Sequence, residues 1–193
     1  MNYKRYPMDV SPKSSLIIGK KYLVEADISN CFPSIYTHAL SWALVGKSTA
    51  KKTQRDKTLW YNKLDFHTRN CTDGETHGIL VGPHTSNLLS EIILTKIDSV
   101  LTKKWEYIRN IDDYSCYVHS YEEAQRFIVD LSKELRFYDL TLNHKKTKIT
   151  EFPLPSESLW VHEIQMLFAL LNKDQLLKYN DLVRYFDCLI NLM

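Results

Sequence analysis

Two adjacent aspartates, Asp112 and Asp113, are the residues of this chain best suited to chemistry. Two neighbouring carboxylates repel each other, and a bound cation removes that repulsion. A hard dication with oxygen ligands, Mg²⁺ or Mn²⁺, is the natural partner for such a pair. Aspartate is also common in tight solvated turns, which require no metal. The pair alone therefore does not distinguish a metal site from an ordinary turn.

A third carboxylate, Asp27, ends a segment with the alternating pattern of a β-strand. One face of this segment carries Tyr22, Val24, Ala26 and Ile28, and the other carries Leu23, Glu25 and Asp27. Branched and aromatic residues on both sides of the aspartate pair predict a hairpin with the carboxylates at its tip. If the strands are neighbours, the three carboxylates could hold two metals about 4 Å apart, as in phosphoryl transfer. The predicted chemistry is nucleotidyl transfer, with Asp27 and Asp112 binding both metals and Asp113 secondary.

Four segments resemble motifs of reverse transcriptases, and they occur in the expected order. They are the first catalytic motif at Asp27-Ile-Ser-Asn-Cys-Phe32, the glycine-rich motif at 78–87, the aspartate-pair motif at Ile111-Asp112-Asp113-Tyr114 and the lysine motif at 142–149. One such match is weak, whereas four in order are a specific signal. The chain is identified on these residues as a member of the reverse transcriptase superfamily over roughly residues 20–165. The sequence around the motifs is most similar to the bacterial abortive-infection and antiphage-defence branch.

The resemblance implies a role for individual residues. Its metal ligands correspond to Asp27, Ile28, Asp112 and Asp113, and its nucleotide-binding residues to Ile28, Phe32, Gly82 and Ser86. Phe32 would lie under the sugar and exclude a 2′-hydroxyl, which selects deoxynucleotides. Lys146, a catalytic candidate with the three aspartates, would contact the leaving pyrophosphate or donate a proton to it. A core phenylalanine and a surface lysine are the alternatives from the residues alone.

The basic segment, residues 46–70, concentrates positive charge and has aromatic residues interleaved with it. Basic side chains release counterions from phosphates, and aromatic rings stack on unpaired bases. The candidates for nucleic-acid binding are Lys51, Lys52, Arg55 and Trp60. The alternative is a solvated helical insertion whose aromatic side chains lie in the core.

An α+β fold of the polymerase-palm type must position these residues, with an antiparallel sheet backed by helices at 84–104 and 121–138. The first of these helices carries an apolar stripe that includes Leu88, Ile93, Ile97 and Val100, and Ser120 with Glu123 predicts a capping box at the start of the second. A further helix is predicted to begin at Pro33. The predicted domains are a lead-in segment at 1–20, a palm at 21–152 with a finger-like insertion at 46–75, and the beginning of a helical thumb or C-terminal region at 153–193. An apolar stripe near the C-terminus predicts that a further segment, a partner chain or an oligomer covers it.

Composition places the chain among ordinary globular proteins. It has 193 residues, 44% of them hydrophobic, and a net charge of +2, so overall charge does not indicate a nucleic-acid binder. The four cysteines show no CxxC spacing, which argues against a zinc knuckle and a disulfide framework. No membrane span or signal peptide is predicted, and we expect a cytoplasmic protein without a membrane partner.

The predicted function is a metal-dependent DNA polymerase of the reverse transcriptase type, which adds deoxynucleotides from their triphosphates to a primer on nucleic acid. The resemblance also implies a role in resisting phage. One alternative is a truncated or non-catalytic palm subunit that binds nucleic acid or a partner chain. A palm-type nucleotide cyclase would share the acidic hairpin but would not explain the lysine motif or Phe32.

Overall fold

A computed structural model of the chain describes residues 14–152 and Val183. Most of the predicted lead-in segment and the whole of the predicted thumb, apart from Val183, lie outside the described residues. The apolar stripe near the C-terminus lies outside them as well. All helices and strands named below belong to the compact unit Met1–Phe152.

Helices and short strands alternate along this unit. The helices are α1 Ser14–Ile17, α2 Cys31–Ser34, α3 His38–Val45, α4 Lys47–Lys52, α5 Trp60–Asn70, α6 His84–Leu101 and α7 Tyr121–Phe137. The strands are β1 Tyr22–Asp27, β2 Tyr107–Asn110, β3 Asp113–Val118 and β4 Lys148–Glu151. The four strands form one antiparallel sheet in the order β2-β3-β1-β4. The predicted α+β fold is confirmed.

The centre of the sheet is β1, whose alternating pattern produces one apolar face. Val24 is fully buried and pairs with Cys116 of β3 and Ile149 of β4. Helix α7 packs on β1 and β3, and α6 packs on α7. Phe127 and Leu131 of α7 are completely buried in the core, and burial of each such side chain contributes about 1.5–3 kcal/mol. The helices therefore cover one face of the sheet and support the strands that bear the aspartates.

The start of α7 has the capping box that the sequence predicts. Ser120 is the N-cap residue, and its Oγ accepts a hydrogen bond from the Glu123 N–H at 3.2 Å. The Glu123 carboxylate accepts in turn from the His119 N–H at 2.9 Å. These bonds satisfy backbone donors that the helix leaves free, and such a cap contributes about 1 kcal/mol.

The prediction of one continuous helix from Pro33 is wrong. The chain forms two helices, α2 and α3, with a break at residues 35–37. The glycine-rich loop pairs with the backbone at this break. The Gly78 N–H donates to the Ile35 carbonyl at 2.9 Å, and the Thr37 N–H donates to the Thr76 carbonyl at 2.9 Å. Gly78 has φ +89, and a Cβ there would lie 3.3 Å from the Pro33 carbonyl oxygen. A distant loop thus replaces the helical hydrogen bonds that local periodicity predicts.

The apolar stripe predicted for α6 is only partly buried. Ile93 and Ile97 are completely buried, whereas Leu88 is 68% and Val100 is 44% exposed. Leu88 is two residues from the buried Ser86 and Ser90, so at 3.6 residues per turn it lies on the opposite side of α6 from the core. Within residues 14–152, the helices lack the length and hydropathy needed to cross a membrane.

Three of the four cysteines lie in the described part of the chain, and all three are free thiols. Burial raises the pKa of Cys31 to about 12, and the nearby charge of Asp112 acts in the same direction. Burial also raises the pKa of Cys116 to about 12. Both buried side chains are therefore protonated packing residues at neutral pH rather than reactive thiolates.

Candidate active site

The acidic end of the sheet, formed by Asp27, Asp112 and Asp113, lies where β1 and β3 meet. Asp27 is directly opposite Asp113 in the antiparallel register. Such partners share a face, with their Cβ atoms about 4.5–5.5 Å apart. Asp112 lies in the turn before β3, and its carbonyl accepts a hydrogen bond from the Ile28 N–H at 3.3 Å. Backbone pairing thus brings three aspartates from distant parts of the sequence together at one end of the two central strands.

The carboxylates of the acidic end repel one another. Burial raises the pKa of Asp112, and the charge of Asp27 raises it further. Burial also raises the pKa of Asp113, with added contributions from Asp112 and Asp27. The positive charge of Lys146 opposes both shifts without cancelling them. The site therefore carries negative charge that the described side chains do not fully compensate.

The lysine motif reaches the same place from the opposite side of β1. Lys146 Nζ lies 3.1 Å from Asp27 Oδ2, while most of the lysine side chain is exposed. Its hydrogen bond to Asp27, together with the aspartate charges, raises the pKa of Lys146. The structure therefore joins the lysine motif to the first catalytic motif through a direct contact.

Asn143 is a site residue to which the sequence analysis assigned no role. Its backbone N–H donates to the Asp27 carbonyl at 2.8 Å, and its Nδ2 donates to Asp27 Oδ2 at 3.2 Å. These two bonds fix both the backbone and the carboxylate of Asp27. The only signal in the sequence is the position of Asn143 within the lysine motif.

A cavity of about 360 Å³ opens at the acidic end, on the sheet face opposite the helices. It is lined by Glu25, Ala26, Asp27, Ile108, Asn110, Asp113, Tyr114, Ser115, Tyr117, Lys146 and Lys148. Acidic, amide, hydroxyl and ammonium groups all face this space. A cavity with such a lining can hold a charged, hydrogen-bonding ligand such as a nucleotide phosphate.

The acidic end offers the type of ligand atom that a hard dication prefers. Its groups are carboxylates with uncompensated negative charge, which is the chemistry that Mg²⁺ and Mn²⁺ require. Among residues 14–152, however, no three His, Cys, Asp or Glu side chains are already arranged as a metal cage. Lys146 Nζ also contacts the Asp27 oxygen that a dication would use. A metal would therefore compete with Lys146 for Asp27.

The predicted nucleotide-binding residues are not all brought to the acidic end. Ile28 is buried there and contacts Asp112 through the backbone. Phe32 is half-buried against the core, and it does not belong to the lining of the acidic cavity. Gly82 precedes α6, and buried Ser86 lines a separate apolar cavity of about 460 Å³. A nucleotide-binding role for Phe32, Gly82 and Ser86 stays a prediction.

The predicted nucleic-acid-binding residues lie on the surface of the basic segment, in α4, the connecting turn and the start of α5. Lys51, Lys52 and Arg55 are exposed, and Trp60 is 62% exposed. Tyr61, by contrast, is buried and its backbone carbonyl accepts from Ser41 Oγ at 3.0 Å. The alternative, in which the aromatic side chains of this segment are buried, therefore holds for Tyr61 but not for Trp60.

An antiparallel sheet with aspartates at the ends of adjacent strands, backed by two long helices, is the arrangement of a palm-type nucleotidyltransferase. The family model described as reverse transcriptase (RNA-dependent DNA polymerase) matches residues 7–171. The chain belongs to this family. No curated protein sequence matches the chain.

Two similar solved structures are telomerases of Candida tropicalis. The apo enzyme truncated from its C-terminal domain is 16% identical, with a TM-score of 0.45 over 80% of this chain and 35% of the telomerase chain. The enzyme in complex with the TWJ fragment of telomeric RNA is 15% identical, with a TM-score of 0.49 over 80% of this chain and 29% of that one. The chain thus spans about a third of the length of these telomerases.

Proposed function

We propose that this chain is a metal-dependent DNA polymerase of the reverse transcriptase type, which adds deoxynucleotides to a primer. The observation that carries the proposal is the register of β1 and β3, which places Asp27 opposite Asp113 beside the Asp112 turn. The match of the chain to the reverse transcriptase family supports it. Acidic side chains, a basic side chain and an open polar cavity occur together at one end of the central strands, and phosphoryl transfer requires such a combination.

The aspartates would hold Mg²⁺ or Mn²⁺, with Asp27 and Asp112 as principal ligands and Asp113 secondary. When bound, such ions lower the pKa of a primer 3′-hydroxyl and stabilise the charge of the leaving pyrophosphate. Asn143 keeps the Asp27 carboxylate oriented through its hydrogen bond. Lys146 stays protonated because its pKa is raised, so it can donate a proton to the leaving group.

The basic segment would contact the nucleic acid. Its exposed lysines and Trp60 supply the two kinds of contact that single strands accept, phosphate pairing and base stacking. We extend the proposal to a cytoplasmic role in antiphage defence, on the resemblance of the motifs alone. A partner chain or a further segment that covers the apolar stripe predicted near the C-terminus is part of the proposal.

Metal-dependent incorporation of labelled deoxynucleotides tests the proposal. We expect incorporation on a primed template in Mg²⁺ or Mn²⁺, and we expect Asp112→Ala to abolish it. Glu106→Gln is the matched control, because Glu106 is an exposed acid before β2, at the other end of the hairpin. Activity that survives Asp112→Ala, or that is lost equally in Glu106→Gln, would contradict the proposal.

A second candidate is a non-catalytic palm subunit, and one observation favours it. Lys146 contacts Asp27 in the absence of a preformed metal cage among residues 14–152. In this case the lysine serves as a permanent counterion for Asp27. A chain that binds single-stranded nucleic acid but incorporates no nucleotide with any primer or template would support this candidate over the polymerase.

A further inference from the structure

All three guanidinium nitrogens of Arg109, in β2, contact neighbouring acceptors. Its Nε donates to Asp98 Oδ2 at 2.9 Å, and its Nη2 lies 2.7 Å from the same oxygen and 2.8 Å from Glu91 Oε2. Its Nη1 donates to Glu91 Oε1 and to the backbone carbonyl of Ile111, both at 2.7 Å. Four hydrogen bonds and one further ion-pair contact thus hold the guanidinium group. The side chain is only 11% exposed.

Ile111 is the residue directly before the aspartate pair, and its backbone is in a rare conformation. Its φ is +58, in the left-handed region that β-branched residues seldom adopt. This conformation makes the tight turn between β2 and β3 and directs the chain into Asp112. A backbone in such a state persists only when the surrounding structure holds it.

We propose that Arg109 is a positioning residue for the aspartate pair: anchored on α6 by Glu91 and Asp98, it holds the Ile111 carbonyl and so fixes the turn that presents Asp112 and Asp113 beside Asp27. The metal-binding consequence of this role rests on the proposed function. The holding of the turn does not, and it can be measured without metal or substrate.

The role is geometric rather than one of charge compensation. One guanidinium faces two carboxylates, so the cluster of Arg109, Glu91 and Asp98 is itself negative. Burial and the neighbouring aspartates raise the pKa values of Asp112 and Asp113, Lys146 opposes both shifts, and Arg109 is not among the causes. A lysine could not replace Arg109, because its three donors on a single nitrogen cannot reach two carboxylates and a carbonyl in this fork geometry.

The competing explanation is that Arg109 only ties β2 to α6. Tyr107 provides the matched control, because its Oη donates to Asp98 Oδ1 at 2.6 Å in the same cluster. Tyr107→Phe weakens the connection to α6 and leaves the contact of Arg109 with Ile111 in place. Arg126→Lys, at an exposed arginine of α7, controls for the change of residue type.

Amide hydrogen exchange of Ile28 measures the turn directly, because the Ile28 N–H donates to the Asp112 carbonyl. The Lys21 N–H, which donates to the Val118 carbonyl at 2.9 Å, reports the other end of the same strand pair. We expect Arg109→Lys to speed exchange at Ile28 relative to Lys21 by roughly tenfold, as loss of a charge-assisted hydrogen bond should. Tyr107→Phe and Arg126→Lys should leave this ratio within about twofold. Unchanged exchange at Ile28, or equal acceleration at Lys21, would overturn the proposal.

Mn²⁺ binding, followed by electron paramagnetic resonance, supplies the second measurement. Arg109→Lys should weaken Mn²⁺ binding by roughly 10–100-fold, the usual effect of losing a group that orients a ligand. The double variant with Arg109→Lys and Ile111→Gly should regain much of the Mn²⁺ affinity, because glycine adopts φ near +58 without support from Arg109. Failure of this rescue would show that Arg109 acts elsewhere and would overturn the proposal.

The two proposals fail in different ways. A chain that shows the Ile28 effect but neither binds Mn²⁺ nor incorporates nucleotides contradicts the polymerase and retains the role of Arg109 in holding the turn. A chain that incorporates nucleotides, with exchange at Ile28 unaffected by Arg109→Lys, contradicts the role of Arg109 and retains the polymerase.

Discussion

The acidic end of the sheet and the basic segment differ in what holds them together. At the acidic end, Asp27 is held by its register with Asp113 and by two hydrogen bonds from Asn143, all from distant parts of the chain. In the basic segment most contacts are local, such as Thr58 to Asp56 at 2.6 Å and Asn62 to Thr53 at 2.8 Å. Substitutions at the acidic end should therefore have large and coupled effects, whereas those in the basic segment should be small and additive.

The largest expected difference is in catalysis. Asp27→Asn should lower nucleotide incorporation by roughly 10³-fold or more, because it removes a principal charge at the reacting centre. Asp56→Asn in the basic segment should change the rate by less than about twofold, since Asp56 is exposed and hydrogen-bonds only locally. Single-turnover kinetics on a primed template measure both. Similar losses in the two variants would remove the distinction between the regions.

Substitutions in the sheet and its helices should also lower the free energy of unfolding more than substitutions in the basic segment. Phe127→Ala should lower the free energy of unfolding by about 3–5 kcal/mol, because Phe127 is completely buried under the sheet. Phe66→Ala is the matched change in α5, where the ring is 44% exposed, and it should cost less than about 1 kcal/mol. Urea denaturation compares them. Equal costs would show that the basic segment is as tightly packed as the core.

Nucleic-acid binding should depend on the basic segment in small, separable steps. Lys51→Ala and Lys52→Ala should each weaken binding to single strands, and each should lower the slope of log K against log salt by about 0.7. Lys103→Ala, at an exposed lysine after α6, is the control and should leave the slope unchanged. Titrations of a labelled oligonucleotide at several salt concentrations test this. An unchanged slope in both variants would place the nucleic acid elsewhere.

The smallest expected effect is a pH dependence at the junction between the basic segment and α3. Burial alone would raise the pKa of Asp65, but a 2.6 Å hydrogen bond with His38 and the charges of His38 and Arg69 lower it overall. A lowered folded-state pKa means that Asp65 stabilises the fold above its ordinary value near 3.8, and that this contribution is lost as the pH falls through the folded value.

Asp65→Asn should therefore be less stable than the native chain at neutral pH, and the difference should shrink below about pH 4. Thermal unfolding at several pH values checks this expectation. Asp130→Asn is a comparison outside the basic segment, because the pKa of Asp130 is lowered mainly by its hydrogen bond with Lys104. A stability difference for Asp65→Asn that stays constant as the pH falls would contradict the assigned pKa shift.

Local patterns predicted the elements well where neighbours in sequence are also neighbours in space. The alternation in β1, the capping box at Ser120 and the apolar face of α7 all occur as expected. The break between α2 and α3 was missed, because the loop at 76–78 supplies hydrogen bonds from outside the segment. The predicted stripe of α6 was too wide, because Leu88 is two residues from the buried Ser86 and Ser90 and so lies on the opposite side of the helix.

At the candidate site, too, the sequence predicted residue types and motifs but not the contacts between distant segments. Residue types and motif order pointed to the aspartates and to Lys146, and the structure brings these residues into contact or into register. Ser86, by contrast, is buried in α6 and lines a different cavity. The cluster around Arg109 could not be anticipated, since its partners are spread over β2, the turn and α6.

The sequence by itself determined which groups are available for chemistry and which short segments are strands or helices, because both depend on residue type and local periodicity. Tertiary structure alone decided that Asp27 pairs with Asp113, that Asn143 binds Asp27 and that Arg109 holds the turn at Ile111. Those contacts depend on strand order and register. Strand order and register are set by packing energies summed over the whole core, which no single segment of sequence contains.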